Sequence, residues 1–250
     1  MQFEFELRGL VKDYNPGLFK KKVRSVNGID LSVPSGEVFG LIGPNGAGKS
    51  STIRLMLGLS RPDSGEVLFR GRALEKSNYR HYVGYLPENP YLYDHLTLDE
   101  LLDFGEAFSA QSPEEQNHWR TTLLERTDMD HARRRALRTF SKGMMQRAGL
   151  CFALIRNPQV VILDEPMSGL DPLGRKMVFD LISDLKKDGK TIFFCSHILN
   201  DVERLCDSVA IMAKGQIRRT LYAEELVESI QGGKATLEEV FLKTVSEVSA

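Results

Sequence analysis

Gly43-Pro44-Asn45-Gly46-Ala47-Gly48-Lys49-Ser50 decides how the rest of the chain is read. A glycine, four residues, then Gly-Lys-Ser is the spacing of a loop that wraps a phosphate. Glycines let the main chain approach the anion closely, and successive N–H groups at a helix N-terminus point at its oxygens. Lys49 would bring a positive charge to the β- and γ-phosphates of a nucleotide, and the Ser50 hydroxyl would bind Mg2+. Residues 37–42 (EVFGLI) read as a buried strand, and residues 51–59 (STIRLMLGL) as a helix. An ordinary glycine-rich turn is the plainer alternative. The spacing arises by chance in roughly one such chain in a hundred, and its strand-to-helix setting favours the phosphate loop.

The chain has 250 residues and a mass of 28.2 kDa, enough for a full hydrophobic core. Its 33 basic and 34 acidic residues leave a net charge of −1, which gives no electrostatic case for a nucleic-acid partner. The runs Lys20-Lys21-Lys22 and Arg133-Arg134-Arg135 read as solvated faces. No apolar stretch reaches the roughly 18 residues that a bilayer span needs. Phe3, Phe5 and Leu7 alternate with Gln2, Glu4 and Glu6, a strand pattern rather than a leader. Cys151, Cys195 and Cys206 have no metal-like spacing, and an odd number of thiols fits a reducing cytoplasm. Cys195, in an apolar run, reads as core.

Residues 1–36 read as short strands broken by Asn15-Pro16-Gly17 and by the lysine run. Tyr14 and Phe19 follow the first of them. Either would stack on an adenine ring, although packing is the commoner role at a strand end. A turn at Arg61-Pro62-Asp63-Ser64-Gly65 leads to a strand at 66–70, and a strand at 83–86 ends in Pro87-Glu88-Asn89-Pro90. From Thr97 to about Leu137 the apolar residues Leu98, Leu101, Leu102, Phe108, Trp119, Leu123 and Leu124 recur at helical spacing. Pro113 after Ser112 starts a new helix there. Beyond this helical insert, helices at 142–155, 172–187 and 198–205 alternate with strands at 160–163, 191–195 and 209–212, and a further strand is expected at 216–219. Such alternation implies a mainly parallel sheet covered on both faces. The tail, 222–245, reads as two helices split by Gln231-Gly232-Gly233.

Val160-Val161-Ile162-Leu163-Asp164-Glu165 is an apolar strand that delivers two carboxylates at its C-terminal end, where ligands of such sheets bind. Asp164 is placed to hold Mg2+ through its water shell. Glu165, turned the other way, is placed to take a proton from an attacking water, a role typically worth about 10²–10⁴ in rate. Ser141 stands just before a helix in Phe140-Ser141-Lys142-Gly143-Met144 and would cap it. With Gly143 it forms a second anion site for which the chain itself has no evident use. Ser196-His197 follows the 191–195 strand and brings a histidine to the sheet edge; alone, it would be a structural histidine.

Taken in order, these segments resemble the nucleotide-binding domain of ABC transporters over nearly the whole chain. Gly43–Ser50 is similar to the Walker A loop, residues 160–165 to the Walker B strand, and Ser168-Gly169-Leu170-Asp171 to the D-loop. His197 is similar to the switch histidine, and residues 140–144 to the LSGGQ signature, of which Ser141 and Gly143 keep the usual types. The resemblance implies an α/β fold of the P-loop NTPase (RecA-like) class, with a mainly parallel sheet core, an antiparallel β subdomain and an inserted α-helical subdomain. It implies one ATPase domain: 1–87 with 160–220 as β subdomain and core, 88–159 as Q-loop, insert and signature helix, and 221–250 as a helical tail.

Two ATPase subunits, expected to be copies of this chain, would then pack head to tail around two ATP molecules. Each ATP would meet Gly43, Asn45, Gly46, Ala47, Gly48, Lys49, Ser50 and Ser51 of one chain and Ser141 and Gly143 of the other. The resemblance further implies that Ser50 and Asp164 serve Mg2+, that Glu165 polarises water and that His197 and Lys49 contact the γ-phosphate. Asp171 is the D-loop aspartate, and Tyr14 is the adenine-stacking residue. The region around 88–140 would receive a polytopic membrane permease, placing the chain on the inner face of the membrane.

Two residues depart from the family pattern. Glu88 stands where a Q-loop glutamine is usual; it can still ligate Mg2+, at the cost of negative charge near the γ-phosphate. Lys142 replaces a signature glycine, either facing solvent or adding positive charge to the partner's phosphate. Leu86-Pro87-Glu88-Asn89, the Ser-Lys-Gly-Met signature and Thr236-Leu237-Glu238-Glu239-Val240-Phe241 resemble ABC-2 type exporters. The rival reading is a soluble ABC-type ATPase acting on ribosomes or DNA. Such proteins usually carry two ATPase domains or a long coiled coil, and this chain shows neither. A GTPase would normally show an Asn-Lys-x-Asp motif, which is missing.

Overall fold

The structure is a computed structural model that describes residues 2–15, 22–228 and 235–247. It forms two compact units, Met1–Tyr79 with Phe193–Ala250, and Arg80–Ile192.

In the first unit β1 (Phe3–Tyr14) and β2 (Val23–Pro34) pair antiparallel. With β4 (Ser64–Phe69) and β5 (Arg72–Ala73) they make a sheet of order β2-β1-β4-β5. The sequence predicts short strands here, yet each of the first two runs for 12 residues. Irregular register between Leu7 and Leu10 lets β1 change direction without ending, as a bulge does. Phe5, Leu10, Ile29 and Val33 are fully buried on the covered face. The expected loop at Asn15-Pro16-Gly17, the lysine run and Phe19 lie mainly or wholly outside the described residues.

The same unit holds β3 (Val38–Ile42), which runs parallel to β9 (Ser208–Ala213), while β10 (Gln216–Leu221) pairs antiparallel with β9. All five residues of β3 and all six of β9 are buried, as expected for strands covered on both faces. Helix α1 (Lys49–Met56) follows β3, and α6 (Leu199–Leu205) precedes β9. The tail forms α7 (Ala223–Leu226) and α8 (Leu237–Ser246), the latter started by a Thr236–Glu239 capping box. The expected break at Gln231-Gly232-Gly233 lies outside the described residues.

In the second unit β6 (Val83–Leu86) and β7 (Val160–Asp164) are parallel neighbours. Between them come α2 (Leu98–Glu106), α3 (Pro113–Arg126) and α4 (Lys142–Leu154). Thr97 with Glu100 and Ser112 with Glu115 form capping boxes, and Pro113 occupies the first turn of α3, where its missing N–H costs nothing. Trp119 Nε1 on α3 donates to the Leu154 carbonyl at 2.8 Å, tying α3 to the end of α4. Buried Lys190 donates to Asn157 Oδ1 at 2.5 Å and to the Pro158 carbonyl at 2.7 Å, and burial lowers its pKa. Arg133, expected on a solvated face, instead donates to the Asp99 carboxylate at 3.0 and 3.1 Å. Helix α5 (Pro172–Lys187) leads to β8 (Thr191–Cys195), within which the chain passes between the units.

All three cysteines are buried free thiols; burial pushes Cys151 up to about 12, far from a reactive thiolate. Among the described residues no helix is long and apolar enough to cross a membrane.

Candidate functional site

The first unit presents the phosphate loop. Ile42 is paired with Ile211 at the end of β3, and the chain then leaves the sheet at Gly43. Gly48 is the N-cap of α1, at φ 109°, a conformation open essentially to glycine alone. A Cβ there would lie 2.3 Å from the Ser25 carbonyl oxygen and 2.5 Å from the Met212 methyl. The first turn of α1 has no side-chain cap and no acidic residue, so its N–H groups and positive end are left to an anion. Lys49 is buried, and its Nζ donates to the Gly43 carbonyl at 2.7 Å, which holds the ammonium across the loop. Pro44, Asn45 and Gly46 form an exposed crown, and a Cβ on Gly46 would meet nothing within 4 Å. Ser50 is exposed beside it. Open crown, uncapped helix start and ammonium together fit a polyphosphate.

Support for the loop comes from residues that the sequence did not single out. The Ser25 and Ser51 hydroxyls share a hydrogen bond of 2.7 Å. Gly215 N–H, in the turn between β9 and β10, donates to the Ala47 carbonyl at 2.9 Å. The Gly215 carbonyl accepts from Asn27 N–H at 2.8 Å. These partners lie more than 20 residues away in sequence, so no local pattern announces them.

Tyr14 ends β1 opposite Val23, half-buried, with Lys12 Nζ 5.7 Å from its ring centre. Its phenol oxygen is buried without a hydrogen-bond partner among the described residues. His197 is exposed in the turn after β8, which is fixed by Ile198 N–H donating to Ser196 Oγ at 3.0 Å.

The second unit carries the acidic residues and the signature turn. Leu86 ends β6 paired with Leu163, and β7 runs on to Asp164, so Pro87-Glu88 and Asp164-Glu165 come at the same C-terminal end of these parallel strands. Asp164 is only 3% exposed. Glu165 is half-buried and has φ 51°, an uncommon left-handed backbone of the kind that collects at functional sites. Its carbonyl accepts from Ser168 N–H at 3.0 Å, and buried Gln146 donates to the next carbonyl, Pro166, at 3.3 Å. Asp171 caps α5 by accepting from Gly174 N–H at 2.7 Å, so it has a local structural task.

Ser141 caps α4, accepting from Met144 N–H at 3.2 Å, and is exposed. A Cβ on Gly143 would meet only Leu170 Cδ2, at an ordinary 3.5 Å. Glu88, Ser141 and Lys142 line one open cavity of about 360 Å3, together with Tyr91, Phe140 and Gln146. Lys142 is exposed as expected, yet its side chain lies along Gly169 rather than projecting away from the chain.

The family model described as ABC transporter matches residues 26–168. An uncharacterised ABC transporter ATP-binding protein of Synechocystis sp. is 43% identical over 90% of this chain and 65% of its own length. The chain therefore spans just under two thirds of that relative. A lantibiotic transport ATP-binding protein of Streptococcus pyogenes is 34% identical over 86% of this chain and 89% of its own. A solved ATP binding subunit of an ABC transporter superposes with a TM-score of 0.85 at 30% identity, covering 96% of this chain and 98% of the other. Motif order, fold and these likenesses agree, and the chain belongs to the ABC transporter family.

Proposed function

We propose that the chain hydrolyses ATP to ADP and phosphate in a head-to-tail dimer and so drives transport through a separate membrane permease. The phosphate loop, 43–51, cradles the triphosphate with backbone N–H groups, and Lys49 neutralises its developing charge. Mg2+ would neutralise phosphate charge when bound; the family resemblance assigns Ser50 to it in the first unit and Asp164, with Glu88 available, in the second. Glu165 accepts a proton from the attacking water, and His197 senses the γ-phosphate. Tyr14 offers its ring to the base.

The observation that carries the reading is the state of the signature turn. Ser141 is a cap at an exposed helix start, and the spacing around Gly143 would tolerate a side chain. A glycine that its own chain does not require is explained by a surface pressed against something else, here the partner's ATP. The lantibiotic transport relative supports export as the direction, as do the Ser-Lys-Gly-Met signature and the Leu-Pro-Glu-Asn stretch. The working location is then the cytoplasmic face of the membrane, through the permease.

Glu165→Gln tests the reading. The variant is expected to bind ATP as the parent does, to turn over about 10²–10⁴ more slowly, and to accumulate as a dimer with Mg·ATP by size exclusion. Adding Ser141→Arg should return it to monomer. Parent-like turnover would remove Glu165 from the chemistry, and a dimer that persists with Ser141→Arg would remove the shared site.

A further inference from the structure

Lys142 and Gly169 lie against each other. A Cβ built on Gly169 would sit 2.6 Å from Lys142 Cε and 3.0 Å from its Cδ and Nζ. The lysine stem thus fills the volume that a side chain at 169 would need, and the φ of 72° at Gly169 also suits glycine. Residues 165–171 form the turn that starts at Glu165 and ends at Asp171, the cap of α5. Four residues after Lys142, on the same face of α4, Gln146 grips this turn at the Pro166 carbonyl. One helix face therefore touches the turn twice, at Pro166 beside the carboxylate and at Gly169 beyond it.

We infer that Lys142 is a positioning residue that, with Gln146, ties the signature turn to the backbone carrying Glu165. Seating Ser141 and Gly143 against a partner then also fixes the carboxylate of the same chain. The inference rests on the roles proposed for Glu165, Ser141 and Gly143. It explains the choice of a long unbranched side chain at 142; the left-handed backbone already calls for glycine at 169. Methylenes make much of the contact, so methionine should replace lysine and glycine should not.

Hydrogen exchange of nucleotide-free protein gives a readout independent of turnover. In Lys142→Gly, amides of residues 166–170 should exchange about tenfold faster, while those in the middle of α5 keep the parent rate. Lys142→Met should stay within about twofold of the parent at both places. In kinetics, Lys142→Gly should lower kcat about five- to tenfold with KM for ATP held, and Lys142→Met should restore most of it. Unchanged exchange at 166–170 in Lys142→Gly, or equal acceleration in α5, would overturn the inference. Full turnover of Glu165→Gln would instead sink the base assignment and leave the exchange result standing.

Discussion

Two glycine-bearing helix starts, one in each unit, look alike in sequence and differ in what requires the glycine. At Gly48 the requirement is internal: the left-handed backbone, the Ser25 carbonyl and the Met212 methyl leave no room for a Cβ. At Gly143 nothing among the described residues objects, since a Cβ would find Leu170 at ordinary contact distance. The phosphate loop is thus built by the fold that carries it. The turn at Ser141 and Gly143 is a surface whose glycine no contact among the described residues demands, and under the proposed function its shape answers to a ligand on another chain.

The contrast can be broken most sharply at Gly48. Gly48→Ala should cost about 3 kcal/mol from backbone strain and overlap, seen as a lower denaturation midpoint at constant slope, and should abolish ATP binding. A variant with the parent's midpoint and affinity would show that the loop is not held as described. Gly143→Ala should behave in the opposite way. Its stability should hold or rise by up to about 1 kcal/mol, because glycine is a poor helix residue, while turnover at saturating ATP falls at least about tenfold. Unaltered turnover would erase the external requirement. The smallest effect is expected for Ser141→Ala, a loss of about 1 kcal/mol from an exposed cap, measured by thermal unfolding. A change well above that would mean that Ser141 supports more of α4 than its bond to Met144 N–H shows.

Much of the architecture was legible because it rests on local patterns. The apolar runs at β3, β7 and β8 read as buried strands and are buried. Pro113 after Ser112 placed the start of α3, and Cys195 is core as read. What failed to show in sequence is non-local. The first two strands were expected to be short, because register shifts that let a strand continue depend on its partner. Arg133 was read as solvated, but its carboxylate lies 34 residues earlier. Lys142 is exposed, one of the two settings read for it, but its contact with Gly169 was not foreseen, because that glycine is 27 positions away and no spacing rule links them.

By itself the sequence determined a glycine-rich turn ahead of a helix, two adjacent carboxylates at a strand end and a serine-capped helix start. Each of these is a run of neighbouring residues whose backbone and charge act over a few ångströms. Tertiary structure alone decided how they are held: Ser25, Met212 and Gly215 about the loop, and Gln146 and Lys142 on the turn that follows Glu165. Those contacts join segments far apart in the chain, and their geometry exists only once sheets and helices have packed.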